Sequence, residues 1–89
     1  MDSTNPRSVG QLVEDWGETA SIVNSKGVQF KLGKNAVWIW KTCSSSISRQ
    51  KLMKGYAKAF NLQQKEVEST VDAILKNLEK IELINPNGN

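Results

Sequence analysis

Apolar and polar residues alternate along the first third of the chain and then change period. "QLVEDW" (11–16) sets Leu12, Glu14 and Trp16 against Gln11, Val13 and Asp15, which predicts a weak strand. "TASIVN" (19–24) is a better one, with β-branched Ile22 and Val23. "NSKG" (24–27) reads as a tight turn in which Gly27 takes a positive φ. "VQFKL" (28–32) then points Val28, Phe30 and Leu32 inward and Gln29 and Lys31 outward. The second and third strands form a hairpin, and such a ribbon needs helices over its apolar face.

From residue 34 the period becomes helical. Ala36, Ile39, Trp40 and Cys43 fall at i, i+3, i+4 and i+7, and Ser44, Ser45 and Ser46 end that helix. Ser48 caps a second helix, whose buried face carries Leu52, Tyr56 and Phe60. Gly55 lies inside it and costs about 1 kcal/mol against alanine, which suggests close approach of another backbone there, or a weak spot. Asn61-Leu62 makes a short turn. Val67, Val71, Ile74, Leu75, Leu78 and Ile81 then mark a long third helix. Strands followed by helices predict an α+β domain over residues 11–84. Residues 1–10 are expected to be a flexible lead-in and 85–89 a disordered tail.

Length and composition narrow the chemistry. Eighty-nine residues hold one modest core. The chain has no histidine to activate its single cysteine and no metal-ligand spacing or Gly-rich phosphate loop, so the catalytic inventory is thin, although carboxylate pairs could in principle do acid–base work. The carboxylates Glu66, Glu68, Asp72, Glu79 and Glu82 read as the solvated face of the third helix. The expectation is a non-catalytic binding module. The lone cysteine and the lack of a signal pattern or a long apolar run suggest a cytoplasmic protein.

Charge divides the chain into three. Residues 1–24 sum to −3, residues 25–65 to +9 with no acid, and residues 66–89 to −3. The basic middle suggests an acidic partner, either a peptide or a nucleic acid, or else two solubilising lysine faces.

The run from Leu32 to Ile84 resembles the PqqD-like proteins, which are recognition elements for ribosomally made, post-translationally modified peptides. Leu32, Ala36, Ile39, Trp40 and Cys43 match that pattern through the first helix. Ser48 stands where the family places a capping Thr, and Leu52, Tyr56 and Phe60 match its second helix. Val67, Val71, Leu75 and Leu78 match the third, and Leu83-Ile84 the closing apolar pair. Gly33 replaces the usual Asn, Asn35 the usual Thr, and serines the usual Asp-Gly turn. The resemblance implies a winged-helix-like fold, a three-stranded antiparallel sheet followed by three helices. It also implies binding of a precursor's leader peptide and presentation of its core to a modifying enzyme. In stand-alone members of the family that enzyme is often a radical SAM maturase, whose reactions include crosslinking, epimerisation and splicease-type excision. The Fe–S cluster and S-adenosylmethionine would belong to that partner.

On that reading the leader adds as a strand to the third strand. Val28, Gln29, Phe30, Lys31 and Leu32 offer the edge, Lys34 meets leader carboxylates, and Val71, Leu75 and Leu78 wall a groove. Trp38 lies about 200° round its helix from Trp40 and, with Val37, is a candidate contact with the partner enzyme, the alternatives being packing against the N-terminal segment or Trp16, or plain exposure. Two rivals stay open. One is nucleic-acid binding through Arg49, Lys51, Lys54 and Lys58, although the acidic third helix suits a recognition helix poorly. The other is a scaffold that dimerises by using the third helix as a zipper.

Overall fold

A computed structural model of the protein describes residues 6–45 and 47–85. Eight elements follow in order: β1 (Arg7–Ser8), β2 (Gln11–Asp15), β3 (Ala20–Val23), β4 (Gln29–Leu32), α1 (Lys34–Thr42), α2 (Arg49–Phe60), α3 (Gln64–Lys80) and β5 (Ile84–Asn85). The expected three-stranded antiparallel sheet has the order β2-β3-β4, and the three helices follow it. The fold is α+β and compatible with the winged-helix-like expectation. No described helix is long and apolar enough to cross a membrane.

The β3–β4 hairpin forms as the alternation predicts. Gly27 sits at φ +85° and its N–H closes the turn on the Asn24 carbonyl. Ala20 pairs with Leu32 and Ile22 with Phe30, so these four share the face that meets the core. Ala20, Ile22 and Leu32 are buried, and Phe30 is half-buried. Val28 departs from the expectation. It ends the turn instead of opening the strand and stays 48% exposed.

The helices interlock around one core. Ile39, Trp40 and Cys43 of the first stripe are buried, with Leu52 and Tyr56 from α2 and Val67, Val71, Leu75 and Leu78 from α3. Gly33 caps α1 without a side-chain bond, which follows from the small residue at that position. Ser48 caps α2 by accepting the Lys51 N–H. Asn61 closes that helix in the left-handed region, at φ 53°.

The ends of the chain correct the domain boundaries. Arg7 and Ser8, assigned to the lead-in, pair antiparallel with Asn85 and Ile84. The Ser8 N–H donates to the Cys43 carbonyl, the Val9 N–H to the Leu83 carbonyl, and the Trp40 indole N–H to the Val9 carbonyl at 3.1 Å. Apart from the indole N–H, these bonds are made by backbone groups that every sequence carries, so composition gives no sign of them. The rest of the expected lead-in (residues 1–5) and tail (residues 86–89) lies outside the described residues.

Candidate functional site

β4 is an outer strand. β3 covers one of its sides, and among the described residues no strand pairs with the other. The hairpin geometry fixes which main-chain groups face outward. The Asn24 N–H donates to the Val28 carbonyl at 2.9 Å, which makes Asn24–Val28 a bonded pair. Bonded and non-bonded pairs alternate in an antiparallel ladder. Phe30 and Leu32 therefore bond back to Ile22 and Ala20, while the N–H and C=O groups of Gln29 and Lys31 turn away from β3. An unpaired row of this kind is a template for an added strand.

Asn24 holds this edge in place. Its Oδ1 accepts from the Lys26 and Val28 N–H groups, both at 3.0 Å, and its Nδ2 donates to the Ile81 carbonyl at 2.9 Å. One buried side chain thus shapes the turn and ties it to the end of α3. Lys26 and Glu82 reinforce the join with an exposed ion pair at 2.8 Å, which raises the Lys26 pKa through its hydrogen bond to Glu82.

The lysines beside the edge are engaged within the chain. The Lys31 ammonium lies 5.4 Å from the centre of the Trp16 ring. Lys34 lies 5.8 Å from the Phe60 ring and 3.9 Å from a Glu18 carboxylate oxygen. Gln29 donates from Nε2 to the Ser21 hydroxyl on the adjacent strand. All three side chains remain exposed and keep their neighbours only as surface contacts.

Val71, Leu75 and Leu78 do not join the edge. They are 0%, 5% and 2% exposed and belong to the core of this chain, so they wall no groove. The helix stripe was legible, but its length also matched what α1 and α2 need to bury against it. The apolar residues of α3 and its cap that keep some exposure are Ala73, Ile74 and Ile81. Ile81 lies where α3 meets the hairpin, through the Asn24 bond. The residues that a zipper through α3 would use, Val67, Val71, Leu75 and Leu78, are buried within this chain.

The expected enzyme contact also changes. Val37 is 3% exposed and buried in the core. Trp38 is half-buried and packs edge-on against Tyr56 and Phe60, with ring centres 5.7 and 6.0 Å away. Trp38 lies away from Trp40 round the helix, and that side of α1 is covered by α2. Trp40 reaches the β1 side and Trp38 reaches α2. What is left accessible of Trp38 and Phe60 floors an open hollow of about 330 Å³, rimmed by Lys34 and Lys41.

Ion pairs account for part of the charge asymmetry. Asp15–Lys41, Glu18–Lys34, Asp72–Arg49 and Glu82–Lys26 each join an acidic flank to the basic middle. Lys51, Lys54 and Lys58 stay exposed along α2, with no ion pair among the described residues. Burial pushes the Cys43 thiol up to about 11, which leaves it a neutral core group and a poor nucleophile. Comparison with known protein families, curated proteins and solved structures finds no match for this chain.

Proposed function

We propose that this protein is a non-catalytic peptide-binding module. It takes the leader segment of a ribosomally synthesised precursor as an added strand on β4 and presents the core peptide to a modifying enzyme. The observation that carries the reading is the outer side of β4, where the main-chain groups of Gln29 and Lys31 face away from β3. Main-chain bonds supply generic affinity in strand addition, and neighbouring side chains supply selectivity. Phe30, half-buried, gives the edge an apolar floor. Lys31 and Lys34 lie within reach of an acidic leader and contribute steering and register, at about 0.2–1 kcal/mol each as exposed pairs.

The PqqD-like resemblance in Leu32, Ala36, Ile39, Trp40, Cys43 and the two later helices supports the same reading and points to a radical SAM maturase as the enzyme. The enzyme contact belongs to the hollow over Trp38 and Phe60, where Trp38 packs edge-on against Tyr56 and Phe60.

Titration of labelled protein with the synthetic leader of a short precursor encoded beside it tests the proposal. Saturable amide shifts centred on residues 28–34, little changed by moderate salt, are the expected result. Absence of shifts there with every such leader, together with broad salt-sensitive shifts around residues 49–58 on adding duplex DNA, would replace it with the nucleic-acid alternative.

A further inference from the structure

The hollow beside α2 has an apolar floor of Val37, Trp38, Ala59 and Phe60. Lys34 and Lys41 stand at its rim, and an acid answers each: Glu18 lies 3.9 Å from Lys34 and Asp15 lies 2.6 Å from Lys41. The basic surface continues along α2. Trp38 lies across Gly55. Lys51 comes four residues before that glycine, and Lys58 and Ala59 come three and four after it, so all of them share the helix face that the indole covers. Lys54 lies about 60° round the helix from Lys51. Arg49 is engaged on the α3 side by Asp72. Lys51, Lys54 and Lys58 are exposed and have no ion pair among the described residues, and residues 25–65 hold no acid to supply one. A helix face that serves only solubility carries both signs, as α3 does with Lys65, Lys76 and Lys80 among Glu66, Glu68, Asp72 and Glu79. On α2 the neighbours Lys51–Lys54 and Lys54–Lys58 repel one another and weaken the helix.

We infer that the hollow and the lysine face of α2 form one docking surface for an acidic segment of the modifying enzyme that carries a single large apolar side chain. The inference rests on the proposed function for the existence of that enzyme and adds the chemistry of its contact. The apolar side chain seats on Trp38 and Phe60 in a hollow of about 330 Å³, which has room for one such group. The flanking carboxylates meet Lys51, Lys54 and Lys58 and relieve their mutual repulsion. Asp15 and Glu18 bound the basic strip on the α1 side and Asp72 on the α3 side. The strip is therefore one helix wide, which suits a single acidic segment better than the two phosphate strands of a duplex. Exposed charges of this kind govern the rate of encounter, and the seated apolar group governs how long the complex lasts.

Binding kinetics of the full chain with the purified modifying enzyme encoded beside it, at low and at high salt, test the inference. Lys51→Glu with Lys58→Glu is expected to slow association by about tenfold or more at low salt and to leave dissociation nearly unchanged. Ala59→Glu places a carboxylate on the floor of the hollow and is expected to speed dissociation by about tenfold or more. All three positions are exposed, so both variants keep the fold by circular dichroism, and leader titration on residues 28–34 is unchanged in each. The enzyme is titrated without leader, so failure of this contact and failure of the leader reading on β4 are seen separately. Association that ignores salt and both variants, or no association with the enzyme up to about 0.1 mM, would overturn the inference. So would intact enzyme binding in Lys51→Glu with Lys58→Glu alongside lost binding to duplex DNA, which would assign the lysine face to nucleic acid.

Discussion

The indole of Trp38 lies across Gly55, so close that a Cβ built on the glycine would come 3.2 Å from the ring's Cη2. The glycine in the middle of α2 exists for this ring. Alanine there gains about 1 kcal/mol of helix propensity and loses much of it by pushing the indole aside. Gly55→Ala is therefore expected to be near neutral in the native background and to stabilise by about 1 kcal/mol once Trp38→Ala has removed the ring. Trp38→Ala alone costs about 2–3 kcal/mol, below the range for a fully buried tryptophan. Urea unfolding of the four-member cycle measures the coupling. Equal effects of Gly55→Ala in both backgrounds would disprove the contact.

Asn24 makes three hydrogen bonds from a side chain only 7% exposed. Asn24→Ala leaves the Lys26 and Val28 N–H groups and the Ile81 carbonyl short of a partner, at a cost of about 2–3 kcal/mol. Asn24→Asp keeps the acceptor that the turn uses and loses the donor to Ile81. Hydrogen exchange should then show amides 26 and 28 still protected and the junction with α3 loosened.

Proline scanning along β4 reads the ladder's alternation directly. The Gln29 and Lys31 N–H groups face outward, so Gln29→Pro and Lys31→Pro should leave the domain folded and cut leader binding by about tenfold or more. Phe30→Pro removes a bond to β3 and should cost about 3 kcal/mol of stability. Folding is followed by circular dichroism and binding by titration. If all three variants destabilise alike, the outward assignment fails. Phe30→Asp should abolish leader binding; because Phe30 is half-buried and packs against the core, its effect is interpretable only in a variant shown to be folded.

Alkaline pH should weaken the fold through Cys43. Burial raises its thiol from the ordinary 9.0 to about 11, so between those values the unfolded chain gives up the proton while the folded chain keeps it. Stability is fully present below 9.0 and falls as pH rises through that window. Lys26, whose pKa is raised by Glu82, adds a loss of the same sign at higher pH. Asp15 acts at the other end. Its pKa is lowered by the Lys41 hydrogen bond and by the Gly17 N–H, so its contribution is present at neutral pH and is lost as pH falls through the lowered value. Chemical denaturation at a series of pH values should show the alkaline slope shrink in Cys43→Ala. An unchanged slope would mean that the thiol titrates alike in both states.

Much of the fold is legible in the chain. The change of period at residue 34 marks the passage from sheet to helix. "NSKG" gives the turn, Ser48 the cap of α2, and the spacing of Val67 to Leu78 the buried face of α3. The candidate site is legible in part. Strand order was expected from the run of strands, and it places β4 outermost. The side chains around the edge were less legible. Val71, Leu75 and Leu78 carry the same pattern whether they wall a groove or fill a core, and periodicity reports only that a face is apolar.

The sequence by itself determined the β3–β4 hairpin, the three helices and the buried stripe of each helix, because local propensity and hydrophobic period act within a few residues of one another. Tertiary structure decided which apolar faces are used up and which backbone groups are left over. Packing set Trp38 against Gly55, seventeen positions away, and tied Asn24 to Ile81 across fifty-seven. It also joined Arg7–Ser8 to Ile84–Asn85 through main-chain bonds common to any sequence. Contacts between distant residues depend on the shapes of whole elements meeting, and no local window of the chain contains both partners.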